Sequence, residues 1–331
     1  MKPLPGRPLV PDTDVRSRLG IGSALLLVSL SLSCARPSAA PTRHTIRIGT
    51  GGQRGDFYPV GVALARAYAA AMPDVDTEVI GTGGGLSNLD ALENGSADVG
   101  FSFADAAYAA YVGRLSHQPH PFTRLRALAL LQLSPVQLVV SDRAPVHNVL
   151  DLRGRKVRLG GAGSASAETA ELILEAYGID PESIRADLRS RADSVADLAT
   201  GKLDAMFILA RYPVDSVTQA LQHGSHLMPL VGDPIEQLHR DYPFFRPMLI
   251  PAGVYPRQSL PVRTIGVHSL LLCRADLEEG LVYRLTRALF QAVAEQPTEF
   301  LRSLDLDRAA ATPIPLHAGA ARYYRERELF P

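Results

Sequence analysis

Three glycine-rich turns contain the residues whose types and spacing suit the binding of a small anion. They are Gly49–Gly55, Thr82–Leu86 and Gly160–Ser166, and each follows a strand-like run and opens a helical pattern. A ligand in such a turn faces the free N–H groups at the start of the helix and the positive end of the helix dipole. The sequence therefore predicts a phosphate or carboxylate site. The competing interpretation is a set of tight strand-to-helix turns without a ligand.

Side chains in and after these turns supply further groups for an anion. The Arg54 guanidinium can bind a carboxylate through two parallel hydrogen bonds, and the Tyr58 hydroxyl can donate another. A ring at Phe103 would make part of the pocket apolar, which favours a ligand with an apolar side chain. Other ligand contacts are predicted from backbone amides, hydroxyls, an amide group and a ring, at Thr82, Gly83, Gly84, Asn88, Ser164, Ser166 and Tyr212.

Most of these residues also have a structural interpretation. Thr82, Ser164 and Ser166 precede helices and are of residue types that cap helix N-termini. Phe103 also fits a hydrophobic core, and Asp105 is interpreted as a helix N-cap in preference to a ligand contact. For the other residues, the sequence leaves both roles open.

Motifs for several other chemistries are absent from the sequence. Gly49–Gly55 lacks the glycine spacing and acidic anchor of a dinucleotide site, and no P-loop lysine follows any of the turns. Ser164 is flanked by Ala162 and Ser166, so it lacks the glycine-flanked elbow of a serine hydrolase. The prolines around His117–His120 break any helix that would align these histidines on a metal. No metal or cofactor is therefore predicted.

The composition limits the classes of protein to which the chain can belong. Its 331 residues are 46% hydrophobic, enough to supply a core for each of two domains. The formal net charge is zero, so there is no basic excess for binding nucleic acid. The chain has no tryptophan, which argues against a site that stacks sugars or bases.

The N-terminal segment has the pattern of an export signal. Basic residues precede an apolar run, Ile21–Leu32, that is short for spanning a bilayer. The run leads to Cys34 after a small residue, which resembles the lipobox of bacterial lipoproteins, whose cysteine is lipidated. We predict a lipoprotein-type signal at 1–34, a tether at 35–44, and an exported protein anchored by lipid in the periplasm or at the outer face of the membrane. Ordinary signal cleavage and a retained anchor are the alternatives.

Strands and helices alternate behind the three turns. The residue patterns end two of the helices at Gly95 and Gly178. This alternation predicts an α/β fold with parallel strands. Strands are predicted at Thr77–Ile80, Val99–Phe103 and Lys156–Leu159, and helices at Pro59–Ala71, Leu86–Asn94 and Ala167–Tyr177.

One pattern occurs twice and is the clearest structural indication in the sequence. The spacing Leu-x-x-Gly-x-x-Asp-x-x-Phe at 92–101 is repeated at 198–207. Each copy has the pattern of a helix end, a glycine cap, a turn and a strand. Two long extended segments, 128–140 and 247–272, lie outside the repeat. We predict two lobes joined by these two extended crossovers, with a cleft for a small ligand between the lobes.

A set of short motifs occurs in order along the chain: Ile48-Gly-Thr-Gly-Gly52, Phe57-Tyr-Pro59, Thr82-Gly-Gly84 with Asn88, Gly95-x-x-Asp98, Ala104-Asp105, Gly163-Ser164, Asp204-Ala205, Tyr212-Pro213, Ile250–Pro256, Arg274–Leu277 and Pro315–Ala320 with Arg322-Tyr-Tyr324. This ordered set resembles the TAXI family of solute receptors for TRAP transporters, and the resemblance covers nearly all of residues 46–328.

The resemblance implies a type II periplasmic-binding-protein fold, whose two α/β lobes close on a small organic acid or amino acid such as glutamate or 2-oxoglutarate. It implies a receptor, not an enzyme, that delivers its ligand to a TRAP-type membrane permease. It places residues 45–134 and 267–331 in the first lobe and residues 135–266 in the second. A sensory receptor that signals to a membrane partner and a hydrolytic enzyme are the alternatives. The sequence departs from the family pattern at Gln53–Gly55, at Phe103 and at Ala165–Ser166, where the ligand is expected.

Overall fold

The computed structural model describes residues 43–53, 55–115, 117–189, 191–295 and 306–329. The predicted signal segment with Cys34, most of the predicted tether and Arg54 lie outside these ranges. His44, the last residue of the predicted tether, instead begins the first strand, because its backbone pairs with Val75. None of the helices in the described ranges combines the length and the apolar character needed to cross a bilayer.

Strands and helices alternate along the described chain, as predicted. The predicted helices begin within two residues of the observed ones, and the strand Val99–Phe103 has the predicted bounds. The first half contains β1 (His44–Gly49), α1 (Phe57–Ala71), β2 (Val75–Ile80), α2 (Gly85–Asn94), β3 (Val99–Phe103), α3 (Ala104–Val112) and β4 (Leu125–Ser141). The second half contains β5 (Lys156–Arg158), α4 (Ala165–Ala176), β6 (Arg185–Asp187), α5 (Arg191–Thr200), β7 (Ala205–Leu209), α6 (Asp215–Gln222), β8 (Ser225–Met228), α7 (Asp233–Asp241), β9 (Phe245–Ile250), β10 (Val262–Arg274), α8 (Glu279–Glu295) and α9 (Ala318–Glu326).

The strands are ordered β2-β1-β3-β10-β4-β7-β5-β6, with β8 paired to β4 and β9 paired to β10. The first lobe is built on β2, β1 and β3, which are parallel. The second lobe is built on β7, β5 and β6, which are also parallel. The strands β4 and β10 run antiparallel to their neighbours in both lobes.

The two long strands belong to both lobes. In β4, Leu125–Pro135 pairs with β10, whereas Val136–Val140 pairs with β7. In β10, Val262–Val267 pairs with β9, whereas Ser269–Cys273 pairs with β3. The predicted two-lobed α/β fold with two crossover strands is therefore confirmed. The second crossover is shorter than the predicted segment 247–272, because prolines interrupt that segment and β9 folds back antiparallel to β10.

The repeated sequence pattern forms the same structure in each lobe. Asp98 accepts a hydrogen bond from the Arg47 N–H at 2.9 Å and donates its own N–H to the Arg47 carbonyl at 2.9 Å. Asp204 makes the corresponding bonds with the N–H and carbonyl of Lys156, at 2.8 and 2.9 Å. The glycine three residues before each aspartate is left-handed, with φ of 82° and 75°. Each copy thus ends a helix and fixes the next strand to its parallel neighbour.

Candidate functional site

Two adjoining cavities lie between the lobes, and the larger of this pair has a volume of about 730 Å³. The second lobe supplies most of its wall through β5, the start of α4 and the segment after β7. Residues before α1 close it from the first lobe. Its polar lining residues are Asp56, Arg158, Ser164, Ser166, Arg211, Asp215, Ser216 and Gln219.

The smaller cavity has a volume of about 580 Å³ and shares Asp56, Arg211 and Pro213 with the larger one, so the two adjoin. The first lobe supplies most of its wall through α1 and the end of β3, and β4 adds two polar side chains. The residues that line this cavity and not the larger one are Phe57, Pro59, Val60, Ala63, Phe103, Gln132, Ser134 and Tyr212. We call the two cavities together the interlobe cleft.

Two guanidinium groups of the second lobe line the larger cavity. Arg158 is only 5% exposed, and its Nε donates to the Arg189 carbonyl at 3.0 Å while its Nη1 donates to the Phe207 carbonyl at 3.4 Å. Arg211 is half-buried and lies at the junction of the two cavities. A fixed guanidinium that is partly shielded from water binds a carboxylate more strongly than one at an open surface.

The start of α4 adds hydrogen-bond donors to the same cavity. Ser164 is the N-cap residue of α4, but its side chain makes no capping bond. Its Oγ is buried and has no hydrogen-bond partner among the described residues. The capping interpretation is therefore wrong for Ser164. Ser164 and Ser166 line the cavity at the first turn of α4, where helix N–H groups suit an anion, and their contact with a ligand stays a prediction.

Aromatic rings line the smaller cavity. The Phe103 ring lies 5.3 Å from the ring of Phe57, which in turn stacks on Phe101 at 5.4 Å. Tyr212 is half-buried and reaches the same cavity from the second lobe. These rings offer van der Waals contact to an apolar part of a ligand. Phe103 and Tyr212 thus lie in the wall of the interlobe cleft, and their contact with a ligand stays a prediction.

A hydrogen-bonded contact joins the lobes at the Gly160–Ser166 turn. The N–H groups of Leu86 and Ser87, at the start of α2, donate to the Gly163 carbonyl at 3.1 and 3.2 Å. A Cβ added to Gly83 or Gly84 would lie 3.1 or 3.2 Å from the backbone of the second lobe. The start of α2 therefore contacts the other lobe through Leu86 and Ser87, and the predicted contact of Gly83 and Gly84 with a ligand stays a prediction.

The remaining predicted residues of this turn stabilise it internally. The Thr82 hydroxyl donates to Asn88 Oδ1 at 2.7 Å and accepts the Gly84 N–H at 3.1 Å. Asn88 is fully buried, and its Nδ2 donates to the carbonyls of Thr50 at 2.5 Å and Phe101 at 2.7 Å. Because these bonds use both amide protons and the side-chain oxygen, the structure gives Asn88 a structural role in place of the predicted ligand contact.

The helices α3 and α4 form a second contact between the lobes. The Thr169 hydroxyl donates to Oδ2 of Asp105, which is 1% exposed, and Oδ1 of Asp105 has no partner among the described residues. Burial raises the pKa of Asp105 to about 6. Burial and the nearby carboxylate of Glu171 raise the pKa of Glu168 to about 7. The N-cap residue of α3 is Phe103, so the capping interpretation of Asp105 is wrong.

Residues 48–327, which span both lobes, match the NMT1-like family. The chain belongs to the NMT1-like family.

Solved structures of low sequence identity share the fold of this NMT1-like protein. The periplasmic binding protein BugD aligns with a TM-score of 0.51 and 12% identity, over 86% of this chain and 95% of its own. A protein from Bordetella bronchiseptica RB50 aligns with a TM-score of 0.53 and 17% identity, over 88% and 90%. XAC2383 from Xanthomonas citri, solved bound to a chloride ion, aligns with a TM-score of 0.50 and 15% identity, over 85% and 95%. This NMT1-like protein thus has the periplasmic-binding-protein fold, and its narrower resemblance to TAXI receptors stays a prediction.

The first glycine-rich corner contributes different residues from those predicted. Tyr58 is half-buried and lines neither cavity, although Phe57 and Pro59 on either side of it line the smaller one. Successive helical residues are rotated by roughly 100° about the helix axis, so Tyr58 is directed away from its neighbours. Arg54 is outside the described residues, and the adjacent Gly55 and Asp56 line the larger cavity.

Sequence reasoning missed the two arginines of the cleft. Arg158 ends the short strand β5, just before the third glycine-rich turn, and Arg211 follows β7. Ligands of open α/β sheets bind outside the carboxyl ends of the parallel strands. The sequence signal was therefore the position of each arginine at a strand end, and the presence of Tyr212 beside Arg211.

The two histidines considered as a metal pair have other surroundings in this NMT1-like protein. His117 Nε2 lies 3.4 Å from Asp90 Oδ1, and the His120 ring packs 6.1 Å from the ring of Phe122. Within the described ranges, no group of three or more His, Cys, Asp or Glu residues is arranged to hold a metal ion.

Proposed function

We propose that this protein is an extracytoplasmic solute-binding receptor that captures a small carboxylate or amino acid, such as glutamate or 2-oxoglutarate, between its lobes. It delivers this ligand to a TRAP-type membrane permease and does not transform it. The periplasmic-binding-protein fold and the motifs that resemble TAXI receptors support this role.

The observation that carries the proposal is the meeting of three anion-binding elements at one cavity. Arg158, Arg211 and the start of α4 all contribute to the larger cavity of the interlobe cleft. A hydrogen bond to a charged group contributes on the order of 1.5–3 kcal/mol, and a helix N-terminus adds about 0.3–1 kcal/mol. These groups together suit a carboxylate.

The smaller cavity indicates how the rest of the ligand is bound. It adjoins the larger one at Arg211 and presents the rings of Phe103 and Tyr212, together with the polar side chains of Gln132 and Ser134. A carboxylate at the start of α4 would thus extend its side chain past Arg211 toward mixed apolar and polar surface. An amphipathic acid with a side chain of several carbons fits this arrangement better than a short acid such as acetate.

Two alternatives start from the same cleft. A sensory receptor would bind the same ligand and signal to a membrane partner. A hydrolase would need a base within hydrogen-bonding distance of a nucleophile. Ser164 Oγ, the nucleophile that the sequence offered, has no hydrogen-bond partner among the described residues, which favours the receptor.

The ligand class is tested by measuring thermal stability and calorimetric binding of the purified protein with glutamate, 2-oxoglutarate, leucine, 4-methyl-2-oxopentanoate and acetate. A ligand at one hundred times its dissociation constant should add about 2.7 kcal/mol of stability. Arg211→Gln should weaken binding of that ligand at least about tenfold, because a charge-assisted hydrogen bond is lost. Arg66→Gln, at an exposed position of α1, is the matched control and should leave the affinity unchanged.

A folded, ligand-free sample that responds to none of the acids would contradict the proposed ligand class. Conversion of a bound acid into a product would favour the hydrolase. Delivery is tested by adding loaded receptor to vesicles that contain a TRAP permease from the same organism. The receptor should stimulate uptake of the acid, and loss of stimulation with Arg211→Gln would connect uptake to the interlobe cleft.

A further inference from the structure

A third cavity, of about 410 Å³, shares no lining residue with the interlobe cleft. Its wall comes from α3 and residues 308–313 of the first lobe, from the crossover strands β4 and β10, and from the segment between α7 and β9 of the second lobe. We call it the rear cavity. Its volume lies within the range of about 300–1,000 Å³ that is typical of small-molecule sites.

Aromatic rings from both lobes form one part of the rear cavity. The Tyr108 ring of α3 lies 5.6 Å from the ring of Phe244 and 6.4 Å from the ring of Tyr242, both in the second lobe. The rings of Tyr242 and Phe244 are 5.6 Å apart. All three residues are half-buried, so part of each ring remains accessible. Ring faces and edges at these spacings offer an aromatic ligand stacked and edge-on contacts.

Two arginines form another part of the wall. Arg246 in β9 is half-buried and Arg308 is exposed. Among the described residues, neither guanidinium is hydrogen-bonded or ion-paired to another side chain. The acid in the wall, Asp241, accepts a hydrogen bond from Gln237 at 2.7 Å.

A histidine completes the polar part of the wall. His268 of β10 is 8% exposed, and its Nδ1 donates to the Leu131 carbonyl at 2.9 Å. The rear cavity thus combines a group of rings with two guanidinium groups that have no anionic partner in the described part of the chain, a combination that attracts a ligand bearing both a ring and a negative charge.

We propose that the rear cavity is a second binding site, for a small organic anion that carries an aromatic ring. The ring of the ligand packs against the rings of Tyr108 and Phe244, and its carboxylate or sulfonate binds the guanidinium groups of Arg246 and Arg308. This proposal does not depend on the function of the interlobe cleft, because the two sites have separate lining residues.

The absence of tryptophan from the chain allows a direct test. Phe244→Trp places a single indole in the wall of the rear cavity, and 3-phenylpropionate is the probe. We expect a saturable change in tryptophan fluorescence. Arg246→Gln and Arg308→Gln, each made in the Phe244→Trp protein, should weaken probe binding at least about tenfold by removing a charge-assisted contact. Calorimetry of the Arg211→Gln protein, in which binding of acids at the interlobe cleft is weakened, should give the same affinity for the probe and decides the test if the tryptophan variant does not fold.

Two matched controls separate the rear cavity from other sites. Arg263→Gln removes an exposed arginine of β10 outside the cavity and should leave the affinity reported by the indole unchanged. Arg211→Gln, made in the Phe244→Trp protein, weakens acid binding only at the interlobe cleft and should also leave the affinity reported by the indole unchanged. The uncharged analogue 3-phenylpropan-1-ol and the ringless propionate should each bind at least about tenfold more weakly. The proposal is overturned if millimolar probe gives no saturable binding, if the alcohol binds as tightly, if Arg246→Gln and Arg308→Gln leave affinity unchanged, or if Arg211→Gln abolishes binding.

Discussion

The two copies of the repeated pattern share a backbone arrangement but differ in their electrostatic surroundings. Asp98 in the first lobe and Asp204 in the second each bind both backbone groups of a residue in the neighbouring strand. The Asp98 side chain is only 6% exposed and is also ion-paired to Arg47 at 2.9 Å and Arg274 at 3.3 Å. Asp204 is half-buried, and in the described chain it has no ion-pair partner.

The residues that follow the two strands differ as well. β3 ends at Phe103 and leads directly into α3, whereas β7 leads into a segment that contains Arg211 and Tyr212. The first lobe therefore supplies mainly apolar surface to the wall of the interlobe cleft. The second lobe supplies most of the positive charge in that wall. The comparison teaches that the glycine and aspartate fix where a strand ends, while the next few residues determine the chemistry there.

Replacing the two aspartates in turn tests this difference most strongly. Asp98→Ala should lower the free energy of unfolding by about 3–4 kcal/mol, because Arg47 loses its ion-pair partner, Arg274 keeps only Asp276, and a backbone N–H loses its acceptor. Asp204→Ala should cost only about 1–2 kcal/mol, since it removes the bond to the Lys156 N–H. Urea unfolding measures both values. Equal losses would show that the ion pairs around Asp98 add no stability.

The contact between the lobes at Asp105 predicts that the stability of the protein depends on pH. Its folded pKa of about 6 lies above the ordinary value of 3.8, so the folded protein binds this proton more tightly than the unfolded chain. The resulting stabilisation, on the order of 2–3 kcal/mol, is fully present below about pH 4 and is lost as the pH rises through about 6. Glu168, with a pKa of about 7, contributes with the same sign.

Urea unfolding between pH 4 and pH 8 measures this effect. Asp105→Asn should remove the part of the loss that belongs to Asp105, between about pH 4 and 6, while Glu168 keeps a loss of the same sign from its ordinary pKa of 4.5 up to about pH 7. Thr169→Val, which removes the hydroxyl donor and keeps the carboxyl group, is the matched control and should retain a loss with the same sign. A wild-type stability that is constant or that rises over this range would contradict the prediction.

The difference between the apolar and cationic walls of the cleft predicts different effects on ligand choice. Phe103→Ala should weaken binding of acids with an apolar side chain by about tenfold, because it removes buried contact area. It should change the affinity for 2-oxoglutarate much less, whereas Arg211→Gln should weaken all acids by similar factors. Calorimetric titration of both variants with the same panel measures this. A uniform loss in Phe103→Ala would indicate that the ring only supports the fold.

The contact of Gly84 with the second lobe gives the smallest expected effect. Gly84→Ala places a Cβ 3.2 Å from the Ser164 Cα at a φ of 124°, and it should cost more stability than the positive φ alone. Gly232→Ala is the matched control, because Gly232 is also a helix N-cap residue, with φ of 95° and ψ of −179°, and the atom nearest its added Cβ is Pro234 Cδ at 3.7 Å. We expect Gly84→Ala to exceed this control by about 1 kcal/mol and to weaken ligand binding. Equal losses of stability in the two variants would show that the second lobe accommodates the added Cβ at no further cost.

Local signals predicted much of the fold. The left-handed glycines at the ends of α2 and α5, the alternation of strands and helices, and the two extended segments depend mainly on neighbouring residues, and the structure confirms them. The proline-rich part of the second segment was the exception, because the pairing of β9 with β10 depends on residues more than ten positions apart.

The site was less predictable because it depends on contacts between distant segments. The start of α2 has the sequence of an anion-binding corner, yet the Gly163 carbonyl of the other lobe occupies its N–H groups. Asn88 was predicted to contact a ligand, but its amide group donates to the carbonyls of Thr50 and Phe101. Nothing in the residues around Arg158 indicates that three other elements would meet it at one cavity. Predicting these outcomes required the positions of both lobes.

The central position of β10 has a consequence for the synthesis of the protein. This strand lies between β3 and β4, yet it follows them in the chain by more than 120 residues. Until the ribosome has made residues 262–274, the sheet of the first lobe lacks the strand that joins β3 to β4. This sheet can therefore be completed only after β10 has been synthesised.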